Sequence, residues 1–487
     1  YQDGNWAVNN TLLAARRGYG AYGEYATRGI IGRVNYNYDT KYYGSVSYRR
    51  DASSRFHPDK RWGDFFSVSA AWDAAKESFI KDNATWVDML KIKASFGQQG
   101  NDNLGNGYAY IDQYTIGGTD SWSDGTLAYK GNPELTWEKS NAFNVGADFS
   151  LWQGKLAGTV EYFSRQTSDM LYNQPTSPSL GYSSIPVNIG SMRNYGVEIE
   201  LNYQPITTRN ITWDINFNAT FINNKIIELA PDLKGEFISG STIWREGESR
   251  YQFYLVQYAG VDPTTGEALY WARTPEQQMN EETGQMENVK DENGKTVYKP
   301  GRYATTDYDA AYNTNRQATG DILPTVYGGI GTTLKAYGFD FGLQCSYQLG
   351  GKTWDDGYQA FMHSGDARNA GNNWHKDILN AWTPENTNTD VPRLDANDPY
   401  AFNANSSNRV LVSSDYFAIN NITIGYTLPN RLTKKFGVES LRIYGAADNV
   451  ALFSARKGLD PRQSYTGATT STYTAMRCIS GGVKLVF

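Results

Sequence analysis

The chain has 487 residues, more than one ordinary compact domain needs, and its 45 Lys+Arg against 51 Asp+Glu leave a net charge of −6. No large basic block stands out, so nucleic-acid binding has little support, and no run of 18 or more apolar residues is present to form a spanning helix. The 36 Tyr, 13 Trp and 48 Gly, beside only 2 Cys and 3 His, suit strands, turns and interfacial belts better than a Leu- and Ala-rich helical enzyme.

From the start of the chain the residues alternate. "KYYGSVSYRR" sets Tyr42, Gly44, Val46 and Tyr48 against Tyr43, Ser45, Ser47 and Arg49. "LKIKASFG" sets Leu90, Ile92, Ala94 and Phe96 against Lys91, Lys93, Ser95 and Gly97. The same period recurs in "FNVGADFSLW", in "VEIELNY" with Glu198 and Glu200 on the polar side, and in "WDINFNATF" with Asp214, Asn216 and Asn218 on it. It returns in "FDFGLQCSY". A period of two places one set of side chains on each face of a strand, which is the mark of antiparallel sheets with one apolar face. The segment 74–88 breaks the alternation and reads as a short helix or ordered turn; a second helical piece is expected near 354–364.

Alternation alone fits a soluble sandwich or a membrane barrel, and three features favour the barrel. The candidate strands often reach ten residues or more, against a usual length of about 5–6. Tight connections at 39–41, 153–155, 205–210 and 335–338 alternate with long polar segments near 100–136, 171–188, 261–321, 352–411 and 454–472. The chain ends "ISGGVKLVF", where Ile479, Val483, Leu485 and Phe487 share one parity, as expected of a barrel-closing strand with a terminal aromatic at the membrane interface. The fold class expected is therefore all-β, a transmembrane antiparallel β-barrel. Its apolar face meets lipid. Its polar wall, with Lys91, Lys93, Glu198, Glu200, Asp214, Asn216 and Asn218, meets a wet lumen.

About 15 strands are expected, near 25–38, 41–50, 62–73, 88–99, 137–152, 155–170, 187–204, 210–227, 237–245, 250–260, 322–335, 338–350, 410–428, 438–452 and 472–487. Bacterial single-chain barrels have even strand numbers and short periplasmic turns. An odd count whose first strand runs inward implies that residues 1–487 are the C-terminal part of a larger barrel.

The ordered motifs are specific. "YGSVSYRRDASSRFHPDKRWGDFFSVSAAWDAAKESFI", "LKIKASFGQQGN", "GNPELTWEKSNAFNVGADF", "NIGSMRNYGVEIELN", "GVDPTTGEALYW", "TGDILPTVYGGIGTTL", "ILNAWTPENTNTDVPRL", "YFAINNITIGYTLP" and "LRIYGAADNV" follow one another along nearly the whole chain. The chain resembles the C-terminal part of SusC/RagA-type TonB-dependent outer-membrane transporters of Bacteroidota. The resemblance implies a barrel of about 22 strands and a plug domain absent from this chain. It also implies contact with TonB through the missing N-terminal part, a SusD-like lipoprotein partner and an outer-membrane location. The function implied is import of a nutrient, an oligosaccharide first and an oligopeptide next. A dimer of transporter–lipoprotein pairs is a further implication. A binding or adhesion barrel without active uptake is the alternative, and an outer-membrane barrel enzyme the third reading.

No enzyme chemistry is expected. Glu198 and Glu200 lie two residues apart on one strand face without a cleft between them, so lumen lining explains them better than a glycosidase pair. His57, His363 and His375 lack metal-ligand spacing. No cofactor is expected. A calcium ion in an outer loop or on the partner stays open, although Asn293-Gly294 reads as a hairpin turn more readily than an EF-hand loop. Cys345 and Cys478 fall in opposite registers on distant strands and read as two unpaired thiols. Arg49, Arg50, Asp51 and Arg55 read as a charge network near the outer rim. The candidates for cargo or partner contact are the loop aromatics Tyr108, Tyr110, Trp122, Trp354, Tyr358, Phe361 and Trp374, because flat rings stack on sugars and bury well at interfaces.

Overall fold

The computed structural model describes residues 24–119, 122–281, 284–292, 294–365, 369, 371–397, 407–463, 467–469 and 474–487. The chain divides into two compact units. One comprises Tyr1–Leu151, Val160–Tyr195 and Ile227–Ala230, and the other Trp152–Thr159, Gly196–Ile226 and Pro231–Phe487.

The first unit is built on long strands in sequential hydrogen-bond order: β1 (Thr27–Tyr38), β2 (Tyr42–Ser53), β3 (Trp62–Asp73), β4 (Val87–Asn101), β5 (Glu138–Leu151) and β6 (Leu156–Ser168). The ladders β1–β2, β2–β3, β3–β4 and β4–β5 are all antiparallel. The break in alternation after β3 is a 3-10 turn at Ala74–Lys76 followed by a four-residue helix, Ser78–Lys81. At the opposite end two small hairpins form, Gln113–Thr119 with Trp122–Tyr129 and Leu171–Pro175 with Ser184–Asn188.

The second unit repeats the arrangement with β7 (Ser191–Thr207), β8 (Ile211–Glu228), β9 (Val326–Ala336), β10 (Phe339–Leu349), β11 (Tyr416–Thr427), β12 (Ser440–Ser454) and β13 (Cys478–Val486). Here the sequence expectation needs correcting. Residues 237–245 and 250–260 add no strands to this sheet, because β8 pairs directly with β9, Phe221 opposite Val326 and Ile211 opposite Ala336. The segment instead folds within a connection that spans 229–325. Glu236–Ser239, Thr242–Arg245, Gln252–Val256 and Arg316–Asp321 make a separate four-stranded sheet, which is short-stranded as soluble sheets are. The expected strand 410–428 likewise splits. Leu411–Ser413 pairs with Lys352–Asp355 in a loop sheet, and only Tyr416–Thr427 joins the long strands.

A β-bulge between Ile419 and Asn421 explains a parity break in "YFAINNITIGYT". The extra residue Asn420 flips the pattern, so Phe417 and Ile419 share a face with Ile422 and Ile424. The helical piece expected near 354–364 is Asp356–Phe361, capped by the Asp355 carboxylate, which accepts from the Tyr358 N–H. Both cysteines are free, Cys345 buried and Cys478 exposed.

Buried apolar clusters sit among the connections. In the first unit Phe56, Phe65, Ala109, Leu135 and Trp137 pack together. In the second, one cluster joins Val256, Ala268, Tyr270, Ala272 and Ala311, and another Phe253, Leu255, Trp354 and Val410. The strands themselves show the reverse of a soluble protein. Their large apolar side chains are among the most exposed, with Val34 at 71%, Val46 at 58%, Ile424 at 57% and Ile479 at 79%. Exposed apolar surface of this extent marks contact with a nonaqueous partner.

Candidate functional site

Strand register turns alternation into a two-faced wall. In the first unit Val34, Val46, Val68, Phe96 and Phe143 lie opposite one another across five strands. One residue along, Asn35, Ser45, Ser69, Ser95 and Asn144 do the same on the other face. A row of methyls and rings therefore backs onto a row of hydroxyls and amides. The apolar row is mostly exposed while Ser45, Ser69, Ser95 and Asn144 are half-buried, which is the inside-out pattern of a wall with lipid outside and water inside.

Charges on the polar face are held in pairs. Lys93 sits opposite Gly146 on β5 and reaches both Asp148, at 2.9 Å, and Glu161 on β6, at 3.2 Å. Gly146 makes that reach possible, because a Cβ there would lie 2.6 Å from the Val160 carbonyl oxygen and 3.1 Å from the Glu161 Cβ. Lys91 covers the Tyr43 ring at 4.4 Å. These groups, with Ser45, Ser69, Ser95 and Asn144, line a recess of about 480 Å³.

The second unit uses the same device. Arg442 donates from Nε to Asp340 Oδ1 at 2.9 Å, spanning β11 above Gly425, whose Cβ would meet both groups at 2.6 Å. Asn216 and Gln344 lie opposite Gly331 from its two sides, and Asn218 accepts from the Gly329 N–H at 2.9 Å. Glu198, Glu200 and Asn216 are exposed on the polar face and Asp214 is half-buried there. At the end of the chain Ile479, Val483, Leu485 and Phe487 are exposed, and Leu441 and Ile443 of β12 lie opposite Leu485 and Val483.

At the long-loop end of the first unit the dense charge motif forms a knot. Asp102 accepts from Ser53 Oγ at 2.5 Å and Tyr25 Oη at 3.0 Å, and pairs with Arg55 at 3.3 Å. The Arg55 guanidinium also covers the Tyr25 ring at 4.4 Å. Arg49 donates to Asp51 at 2.7 Å, and Arg50 lies 3.6 Å from Asp64. This network ties the segment after β2 to the end of β4. Sequence reasoning found Arg49, Arg50, Asp51 and Arg55 but missed Asp102 and Tyr25, which only the fold brings beside them.

The loop aromatics differ in their surroundings. Tyr108 is partly exposed, and Tyr110 stands edge-on to His57 at 5.9 Å. The side chain of Trp122 lies outside the described residues. Trp354 is buried at 7% exposure, packed with Phe253, Leu255 and Val410. It serves as loop core, and a ring so enclosed offers no face for stacking on cargo. Tyr358 is covered by Arg456 at 3.4 Å, and burial pushes its phenol pKa up. Phe361 and Trp374 remain exposed, Trp374 stacking on the buried His363 at 4.9 Å. Lys290 bridges to Thr296, and Asp291 accepts from the Lys295 N–H; Asn293, on which the hairpin reading falls, lies outside the described residues.

Residues 1–330 match the family described as TonB dependent receptor-like, beta-barrel. The chain belongs to that family. It is an outer-membrane protein of the SusC/RagA type. TonB-dependent receptor P3 of Formosa agariphila is 30% identical over 483 residues, covering 94% of this chain and 45% of the relative. TonB-dependent receptor SusC of Bacteroides thetaiotaomicron is 27% identical over 480 residues, covering 95% of this chain and 44% of the relative. Among solved structures, the RagAB peptide importer in its closed-closed state aligns with a TM-score of 0.78 at 26% identity, covering 98% of this chain and 50% of that one. The chain thus spans about half the length of the relatives it matches.

Proposed function

We propose that this chain supplies the wall and outer loops of an active nutrient importer, working with a SusD-like surface lipoprotein and energised through TonB. Cargo held by the loops and the partner enters the lumen when TonB, pulling on a portion outside this chain, opens a path. The step is conformational gating with no covalent chemistry.

One observation carries the reading of the cargo as an oligosaccharide. The inward face offers rows of hydroxyls and amides, and several of its charges are engaged by one another, Lys93 with Asp148 and Glu161, Arg442 with Asp340. Such a wall makes many interchangeable neutral hydrogen bonds and few strong ones, so a polyhydroxylated chain is passed along without being trapped. A peptide is the second reading, favoured by the likeness to a peptide importer.

The test is affinity purification of the full-length protein from outer membranes in mild detergent, followed by mass spectrometry. A co-purifying lipoprotein with bound oligosaccharide supports the reading, and bound peptides favour the second. Cargo binding with uptake that persists after the proton gradient is collapsed overturns the importer reading in favour of a passive binding barrel.

A further inference from the structure

The connection 229–325 holds a three-stranded sheet made of Tyr258–Val261, Ala268–Ala272 and Tyr303–Thr305. Its middle strand turns Ala268, Tyr270 and Ala272 into a core with Val256 and Ala311. The alternate residues therefore face away from that core. Trp271 stands opposite Ala304, and Arg302, two residues before Ala304, shares its face. Arg273, two residues after Trp271, lies on the same face. Just beyond the sheet Pro275 bridges to Tyr298, which carries that parity on to the Tyr298 ring. The side-chain contacts agree with the register. The Arg302 guanidinium covers Trp271 at 4.1 Å, and that of Arg273 covers Tyr298 at 4.9 Å.

Both cations lack a counter-charge. Among the described residues, neither side chain takes part in a hydrogen bond or an ion pair. Other arginines of the second unit's connections are matched, Arg245 with Glu236 at 3.1 Å and Arg393 with Glu267 at 3.4 Å. Glu267 has the parity of Trp271 and Arg273, but it is the carboxylate that Arg393 takes. Two like charges on one face of a small sheet repel each other. Stacking on a ring holds a guanidinium flat and leaves its N–H edge for a carboxylate or a sulfate, which that edge fits in bidentate fashion. Arg302 is exposed and Arg273 half-buried, so the pair is open to a ligand from solvent.

We propose that Arg273 and Arg302, held on Tyr298 and Trp271, form a capture site for the acidic groups, carboxylate or sulfate, of an anionic oligosaccharide. The proposal rests on the oligosaccharide reading of the cargo and narrows it to acidic chains. Charge complementarity selects the occupant, because the face presents two oriented cations and no carboxylate within ion-pair reach of either among the described residues. Capture is then by charge at the loops. Passage is by neutral hydrogen bonds along the wall, where Lys93 and Arg442 are already engaged by carboxylates.

The experiment uses the full-length protein as purified from outer membranes in mild detergent, with binding read by titration calorimetry. The probes are an oligogalacturonate, the same chain as its neutral methyl ester, a heparin-derived oligosaccharide and an oligoglutamate peptide. The wild type is expected to bind an acidic saccharide at least about tenfold more tightly than the methyl ester, and to lose that margin as salt is raised. R273S/R302S is expected to bind acid and ester alike. R273K/R302K is expected to keep only part of the margin, because an ammonium lacks the guanidinium fork. R302S alone, at an exposed position, is expected to shrink the margin and decides the case where the double serine variant does not assemble. Equal binding of acid and ester by the wild type overturns the site and leaves the oligosaccharide reading standing, since the neutral chain still binds. A preference for acid that R302S and R273S/R302S leave unchanged overturns the site in the same way, and if those variants also shed the lipoprotein the face belongs to that partner. Binding of oligoglutamate with no saccharide bound overturns the site together with the oligosaccharide reading. Failure of all the probes to bind overturns the site, and the cargo is then decided by the co-purified ligand.

Discussion

The long strands and the large connections of the second unit bury their residues by opposite rules. Along the strands large apolar side chains such as Ile330, Ile424 and Ile443 stay exposed, and polar ones bond across the sheet, as Arg442 does with Asp340. Within 229–325 and 350–415 the apolar side chains turn inward, and Leu255, Val256 and Ile243 are fully buried. One polypeptide thus carries a wall built for lipid and loop bodies built for water. The first unit differs in degree. Its connections carry one aromatic cluster and the Asp102 knot, where the second unit carries several sheets and several cores.

The largest expected effects separate these regions. Trp137→Ala removes the ring that packs between Phe56 and Phe65, at a cost of about 3–5 kcal/mol. It is expected to lower the temperature at which the folded barrel converts to the unfolded band on a gel. Leu255→Ala is expected to cost about 2–5 kcal/mol but to act on the second unit's loops, read as new protease cleavage within 229–325 at an unchanged conversion temperature. A matching fall in conversion temperature for Leu255→Ala would show that loops and wall unfold together. Asp102→Ala leaves Arg55 without its carboxylate and Ser53 and Tyr25 without their acceptor, which costs about 3 kcal/mol. Its signature is release of 54–61 to protease. Continued protection of that segment would mean the aromatic cluster alone holds it.

A pH test distinguishes the loop bodies next. Burial pushes the Tyr258 phenol up to about 12, while its hydroxyl donates to the Asp390 carbonyl at 2.9 Å. The folded loop holds this proton more tightly than the unfolded chain. Its contribution is complete below about pH 10 and is lost as pH rises toward 12, by roughly 2–3 kcal/mol in all. Protease sensitivity of 229–325 is expected to rise across that window in the wild type and to stay flat in Tyr258→Phe. The smallest effect belongs to the wall. Gly425→Val forces Arg442 and Asp340 apart and is expected to cost about 1–2 kcal/mol. Asp340→Asn in the same background should add little, and full additivity would mean that the ion pair survives the valine.

Period-two alternation was readable along the sequence because each strand contributes it locally, and the ordered motifs made the family readable as well. The same alternation assigns Lys91, Lys93, Asn216 and Asn218 to the polar side of their strands. Alternation cannot tell a wall strand from a loop strand, however. The residues 237–245 and 250–260 have strand character, and only the direct pairing of β8 with β9 removes them from the long sheet. Trp354 and Trp374 look alike as loop tryptophans, yet one is enclosed by Leu255 and Val410 and the other is exposed beside His363.

The sequence by itself determined which face of each strand is apolar, where the tight turns fall and to which family the chain belongs, since all three are carried by neighbours in the chain. Tertiary structure alone decided which charges meet. Asp102 lies 47 residues from Arg55, and Asp340 lies 102 residues from Arg442. Strand register, summed over several ladders, is the physical link that brings such residues together, and no local pattern records it.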